Sequence, residues 1–135
     1  MEKIIALQGR AQCGKTSTLN LLIDLLEVAT KGCAMPTPHT GERREIFVIN
    51  GKIVGVTTPG DADWIVQDNC DFFTANNCDI AISATRTKGG THQVLDGFAA
   101  SHGLTVKYES KNIAPTKGLE VQTNLAQAQE LLKMI

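Results

Sequence analysis

Residues 9–16, GRAQCGKT, constrain this chain more than any other stretch. Gly9 and Gly14 bracket four residues and are followed at once by Lys15 and Thr16, the pattern G-x-x-x-x-G-K-[ST]. The apolar run Ile4, Ile5, Ala6 and Leu7 lies before it and reads as a buried strand. Leu19, Leu22, Ile23 and Leu26 follow at helical spacing, and a second row of Leu21, Leu25 and Val28 widens that apolar face. The stretch is therefore a glycine loop between a strand and a helix. Glycines at its two ends reach backbone angles that a side chain forbids. Such a loop can curl until several N–H groups point at one anion, and the positive end of the following helix adds to that field.

The eight residues, with their flanking strand and helix, resemble the phosphate-binding loop of the P-loop NTPase superfamily. No subfamily is named by a match of this length. The resemblance implies that Gly9, Arg10, Ala11, Gln12, Cys13, Gly14, Lys15, Thr16 and Ser17 form the nucleotide-binding stretch. In it Lys15 reaches the β- and γ-phosphates and serves catalysis, the Thr16 hydroxyl ligates Mg²⁺, and Ser17 is placed for the α-phosphate.

Composition limits the alternatives. A chain of 135 residues fits one domain, since domains run to about 100–200 residues, so residues 1–135 are expected to form a single nucleotide-binding domain. Apolar content of 42% with 20% charged residues is that of a soluble globular protein. The net charge of −1 gives no sign of a nucleic-acid or anionic-membrane partner. The start of the chain carries no signal-peptide core, and no apolar run approaches the ~20 residues of a membrane span, so the expected location is the cytoplasm. Cys13, Cys33, Cys70 and Cys78 have no C-x-x-C spacing and are expected as free thiols. A zinc site on Cys33 and His39 is the minor alternative. Cys13 stands apart by its place in the glycine loop, where a small residue fits.

Two further stretches carry polar groups that suit phosphate chemistry. Ile46–Ile49 and Lys52–Val56 flank Asn50-Gly51, which predicts a tight hairpin pairing Ile49 with Lys52, Val48 with Ile53 and Phe47 with Val54. The second hairpin strand ends in Thr57-Thr58-Pro59-Gly60-Asp61. P-loop GTPases carry D-x-x-G at this place, and Thr57 stands where their acid would be. Asp61 or Asp63 can substitute at the metal, and Asp61 can alternatively cap the next helix. The strand of residues 79–85 leads into Arg86-Thr87-Lys88-Gly89-Gly90-Thr91. Arg86 or Lys88 there can neutralise charge on the γ-phosphate, can clamp an acceptor, or can form a solvated turn.

The remaining readings are structural. Residues 33–44 form a Pro- and Gly-containing loop, with Thr37, Thr40, Arg43 and Arg44 as polar candidates, either for a substrate or as a plain surface connection. Helices are expected over 62–76, with Trp64 packing or stacking a base, over 92–102, and over 119–134, with Leu125, Ala128, Leu131 and Leu132 inward. His92 and His102 read as surface or cap residues. Residues 104–108 alternate as an edge strand. The following Glu109-Ser110-Lys111-Asn112 departs from the guanine-reading N-K-x-D of GTPases.

The expected fold is a three-layer α/β P-loop domain with a mostly parallel sheet and one antiparallel strand from the hairpin. The expected ligand is Mg²⁺ with ATP rather than GTP. Arg86, Lys88 and Lys15 are the catalytic candidates, and Thr16 with Asp61 would organise the metal. The expected activity is NTP hydrolysis or phosphoryl transfer, with a small-molecule acceptor or a protein as further partner. A degenerate GTPase-like switch and a nucleotide-binding module without turnover are the alternatives.

Overall fold

The computed structural model describes residues 1–31 and 41–135. Thr37, Thr40 and the Cys33–His39 pair lie outside the described residues. In chain order the elements are β1 (Lys3–Gln8), α1 (Lys15–Lys31), β2 (Arg44–Ile49), β3 (Lys52–Thr57), α2 (Asp63–Ala75), β4 (Ile80–Thr85), α3 (Gly90–Ser101), β5 (Lys107–Ser110), a 3₁₀ turn (Lys117–Leu119) and α4 (Glu120–Lys133).

Five strands make one sheet in the order β2-β3-β4-β1-β5. β3, β4, β1 and β5 run parallel, and β2 joins antiparallel through the hairpin. The hairpin register is the one the Asn50-Gly51 turn demands, with Ile49 opposite Lys52, Val48 opposite Ile53 and Phe47 opposite Val54. Both turn residues have positive φ, 52° and 77°, the geometry whose twist matches the flanking strands.

Strand alternation sorts the core into two halves. Ile5 and Leu7 face α1 and α4, with Leu19, Leu22, Ile23, Leu26, Ala128 and Leu131. Ile4 and Ala6 face α2 and α3, with Val66, Cys70, Phe73, Leu95 and Ala99. Helices thus cover both faces, as a parallel sheet requires. Each fully buried Leu, Ile or Phe side chain contributes about 1.5–3 kcal/mol of transfer free energy. The architecture is the expected three-layer α/β arrangement.

The order also shows something that periodicity could not: β4 lies between β1 and β3. The four parallel strands end on one edge, so the loops after β1, β3, β4 and β5 share it. β1 is followed by a helix on one face and its neighbour β4 by a helix on the other. A crevice opens outside the strand ends at such a switch of face.

Two polar clusters fix the β3 end of that edge. The buried Asn69 of α2 donates to the Pro59 carbonyl at 2.8 Å and to Ser83 Oγ at 3.2 Å, and it accepts from Arg44 Nε at 2.9 Å. Gly60 meets β4 so closely that a Cβ there would lie 2.0 Å from the Ala84 carbonyl oxygen. Arg43 is buried between α1 and β2, bonded to Asp24 at 3.1 Å and Glu27 at 2.8 Å. Arg43 and Arg44 therefore serve the scaffold.

Several local expectations are corrected. Asp61 does not cap α2, since the cap position is Ala62 and no side chain bonds to the helix start. Trp64, in the first turn of α2, is 68% exposed and does not pack into the core. β5 is Lys107–Ser110 rather than 104–108: its ladder with β1 runs from Lys107 opposite Ile5 to Ser110 opposite Gln8, at the later part of β1. Leu125 is exposed on α4, and Gln127 is buried in its stead, where it bonds the Asn112 N–H and the Ser110 carbonyl. His92 is stacked on Tyr108 with ring centres 4.1 Å apart.

Replacing Asn69 by Ala strands the Pro59 carbonyl and Ser83 without their donor. Equilibrium urea unfolding is expected to show a loss of about 2–3 kcal/mol. A loss below about 0.5 kcal/mol would contradict the bracing role assigned to this side chain.

Candidate functional site

The loop after β1 meets the expectation from its glycines at one end only. Gly14 takes positive φ, 99°, as does the non-glycine Gln12, 60°, whereas Gly9 does not and instead donates its N–H to the Thr85 carbonyl of β4 at 3.1 Å. Gly9 is required by packing, since a Cβ there would stand 2.5 Å from Cys13 Sγ. Positive φ at a non-glycine residue such as Gln12 is uncommon and favours a functional reading of the turn.

A cleft of about 510 Å³ opens over this loop. Arg10, Gln12, Cys13, Gly14, Lys15, Thr16 and Ser17 line one side. Gly9 and Ala11 belong to the loop but not to the wall. Asp61 enters from the turn after β3, Lys111, Ile113 and Ala114 enter from the segment between β5 and α4, and Glu120 and Asn124 enter from the start of α4 itself.

Lys15 is the anchor of the site. It is 4% exposed, and its ammonium donates to the Gly9 carbonyl at 2.5 Å, to the Arg10 carbonyl at 3.4 Å and to Asp61 Oδ1 at 2.8 Å. A buried ammonium needs such partners, because water no longer solvates it. Asp61 is 47% exposed, so the pair is screened on its carboxylate side and exchangeable.

The structure separates the two acidic candidates. Asp61 joins Lys15 and Thr16 around the cleft. Asp63 instead lies against the start of α3, where a Cβ on Gly90 would be 2.0 Å from Asp63 Oδ2. A carboxylate suits the positive end of that helix. Thr57 is fully buried, and its hydroxyl donates to the Ile82 carbonyl at 3.4 Å. Arg86 and Lys88 are exposed on the loop after β4 and do not line the cleft. Their loop follows β4 on the same edge of the sheet, with the Arg86 N–H held by Thr91 Oγ1 at 3.1 Å.

Lys111 is a further cation of the cleft, beside Lys15 and Arg10, that the sequence reading does not single out. It is 7% exposed, and burial holds its pKa below the usual lysine value, opposed by Cys13 and Glu120. Its signal in the sequence is slight: a lysine directly after an edge strand at the ligand edge. Asn124, one turn into α4, carries no signal at all.

Among the described residues, no group of three or more His, Cys, Asp or Glu side chains could hold a metal by itself, and no helix is long and apolar enough to cross a membrane. Cys13, Cys70 and Cys78 are unpaired. Burial pushes the Cys70 thiol up to about 12 and the Cys78 thiol up to about 11. Comparison of the sequence with models of known protein families gives no match. Comparison with curated proteins gives none either.

The thiols yield a prediction in two parts. Cys13 is half-buried at the cleft, so iodoacetamide at pH 8 followed by peptide mapping should label it while Cys70 and Cys78 stay unlabelled until the chain unfolds. The folded state holds the Cys70 and Cys78 protons more tightly than the unfolded chain, whose thiols titrate near 9. The corresponding stability is present in full below pH 9 and is lost as pH rises toward 11 and 12. Equal labelling of all three thiols in the native protein would contradict this placement.

Proposed function

We propose that the chain binds a nucleoside triphosphate, ATP ahead of GTP, and acts on the γ-phosphate with Mg²⁺ as an ATPase or a small kinase. One observation carries this reading: the buried Lys15 ammonium is held at a cleft lined by the curled glycine loop, by the Thr16 and Ser17 hydroxyls, and by Asp61. The loop N–H groups and the start of α1 supply a preorganised positive field for a phosphate chain. Lys15 exchanges the half-exposed Asp61 for phosphate oxygens, which are the stronger partners for a buried ammonium.

The donor set fits Mg²⁺. This ion takes oxygen ligands, usually only one or two from protein, with water and phosphate supplying the rest. Thr16 and Asp61 offer a hydroxyl and a carboxylate at the same cleft, and Asp61 is released for that task when Lys15 turns to phosphate. Bound there, the metal would neutralise charge on the phosphates. Arg86 and Lys88 stand exposed on the loop after β4 at the same sheet edge, outside the cleft, and would have to move to bring a cation to the γ-phosphate, where it stabilises the transition state.

A second reading, binding without turnover, is favoured by Thr57, which stands buried in the sheet where the resemblance calls for an acid. A guanine-specific switch has less support, since Glu109-Ser110-Lys111-Asn112 lacks the guanine-reading pattern. A reducing cytoplasmic setting suits the unpaired thiols.

Titration calorimetry with ATP and GTP should show ATP binding more tightly, and Lys15→Ala should weaken it by at least about 100-fold. Unchanged binding in Lys15→Ala would overturn the proposal. With Mg²⁺ the wild type should release phosphate or phosphorylate an acceptor. Nucleotide bound with neither product would leave the binding-module reading standing. Arg86→Ala should lower turnover by at least about tenfold at unchanged nucleotide affinity, and an unaltered rate would remove Arg86 from the chemistry.

A further inference from the structure

Lys111 is the first residue past β5, and its backbone is fixed by the sheet: its N–H donates to the Gln8 carbonyl of β1 at 2.8 Å. Its side chain lies over both glycines of the loop. A methyl group on Gly9 would be 3.2 Å from Lys111 Cβ, and one on Gly14 would be 3.3 Å from Lys111 Cε. The stem therefore runs along the whole loop at close range, and the residue lines the cleft.

Its charge is poorly matched to these surroundings. An ammonium has three hydrogens to donate. Among the described residues it makes one hydrogen bond, to the carbonyl of its neighbour Asn112. Glu120 lines the same cleft, yet no carboxylate of the described residues forms an ion pair with Lys111. A buried lysine with no carboxylate in contact, Glu120 acting only from a distance, is costly unless a ligand supplies the missing partner. Burial also lowers its pKa, which an arriving anion would reverse.

We propose that Lys111 is a second phosphate-binding cation, which takes the nucleoside-side phosphates of a bound nucleoside di- or triphosphate. This rests on the nucleotide reading above. The polarity follows from the sheet. Asp61 comes after β3 and Lys111 after β5, with β4 and β1 between them, so the two approach the loop from opposite sides. The metal-binding pair Thr16 and Asp61 marks the γ end. The α- and β-phosphates then lie toward Lys111, with Ile113 and Ala114 beyond them at the nucleoside. A site with a cation at each side selects a chain of at least two phosphates over a single inorganic phosphate.

The competing role is packing, with Lys111 propping the two glycines through its stem alone. Lys111→Met keeps the stem and removes the charge, Lys111→Gln does so with a polar tip, and Lys111→Arg keeps the charge. Calorimetric titration with MgADP and MgATP, beside thermal melts of each variant, separates the roles. The expected result is that Met and Gln weaken both nucleotides by the same factor of about 10–100, without lowering the melting temperature, and that Arg restores most of the affinity. Affinities within twofold of wild type in folded Met or Gln variants would overturn the phosphate role. Weakened ATP with unchanged ADP would overturn the assigned polarity. A wild type that binds neither nucleotide would overturn the nucleotide reading itself, and this inference with it.

Discussion

A single buried ammonium joins the parts of this molecule that would otherwise only adjoin. Lys15 Nζ reaches back to the Gly9 carbonyl and across to Asp61, so it ties the loop after β1 to the turn after β3 over the intervening end of β4. Inside the curled loop the ammonium satisfies the Gly9 and Arg10 carbonyls, and Asp61 completes its set of acceptors from across the cleft. Burial makes the interaction necessary, and the half-exposed carboxylate makes it exchangeable. Both properties suit a group that must release one anion to accept another.

The scaffold holds the two ends of that contact in place. Asn69 and Gly60 fix the turn that carries Asp61: the first through bonds to Pro59, Ser83 and Arg44, the second by close packing on Ala84. Arg43, bonded to Asp24 and Glu27, secures the start of β2 to α1. On the other side, Gln127 of α4 holds Ser110 and Asn112, and thereby the segment that presents Lys111. Charge at the cleft is thus arranged by backbone held from behind, which limits the reorganisation a ligand must cause.

Much of this was legible in the residues because short-range rules determined it. Asn50-Gly51 sets a turn whose geometry dictates the hairpin register, and the glycine loop needs a strand before it and a helix after it. The three layers follow from short apolar runs buried on both faces, which read as central strands, and from helices of period 3.6. What escaped was long-range. Neighbouring strands do not declare their partners, so the insertion of β4 between β1 and β3 is invisible in sequence. Lys111 looked like any lysine after a strand, because its burial depends on β1 and α4 packing around it. Asp61 and Asp63 are two residues apart and chemically alike. Only the packing of α3 against α2 sends one to Gly90 and leaves the other at Lys15. Leu125 reads as inward by helical spacing and stands exposed, and Trp64, read as packing, is exposed too, since which side of a helix meets the sheet is set by long-range packing.

The central claim is that the Lys15–Asp61 contact is the resting form of a triphosphate site. A crystal structure with a non-hydrolysable ATP analogue and Mg²⁺ tests it most directly. The account predicts the phosphate chain in the glycine loop, with Lys15 turned from Asp61 to the β- and γ-phosphates and Asp61 facing the metal together with Thr16. An intact Lys15–Asp61 pair beside a bound nucleotide, or phosphates seated away from the loop of residues 9–16, would contradict it.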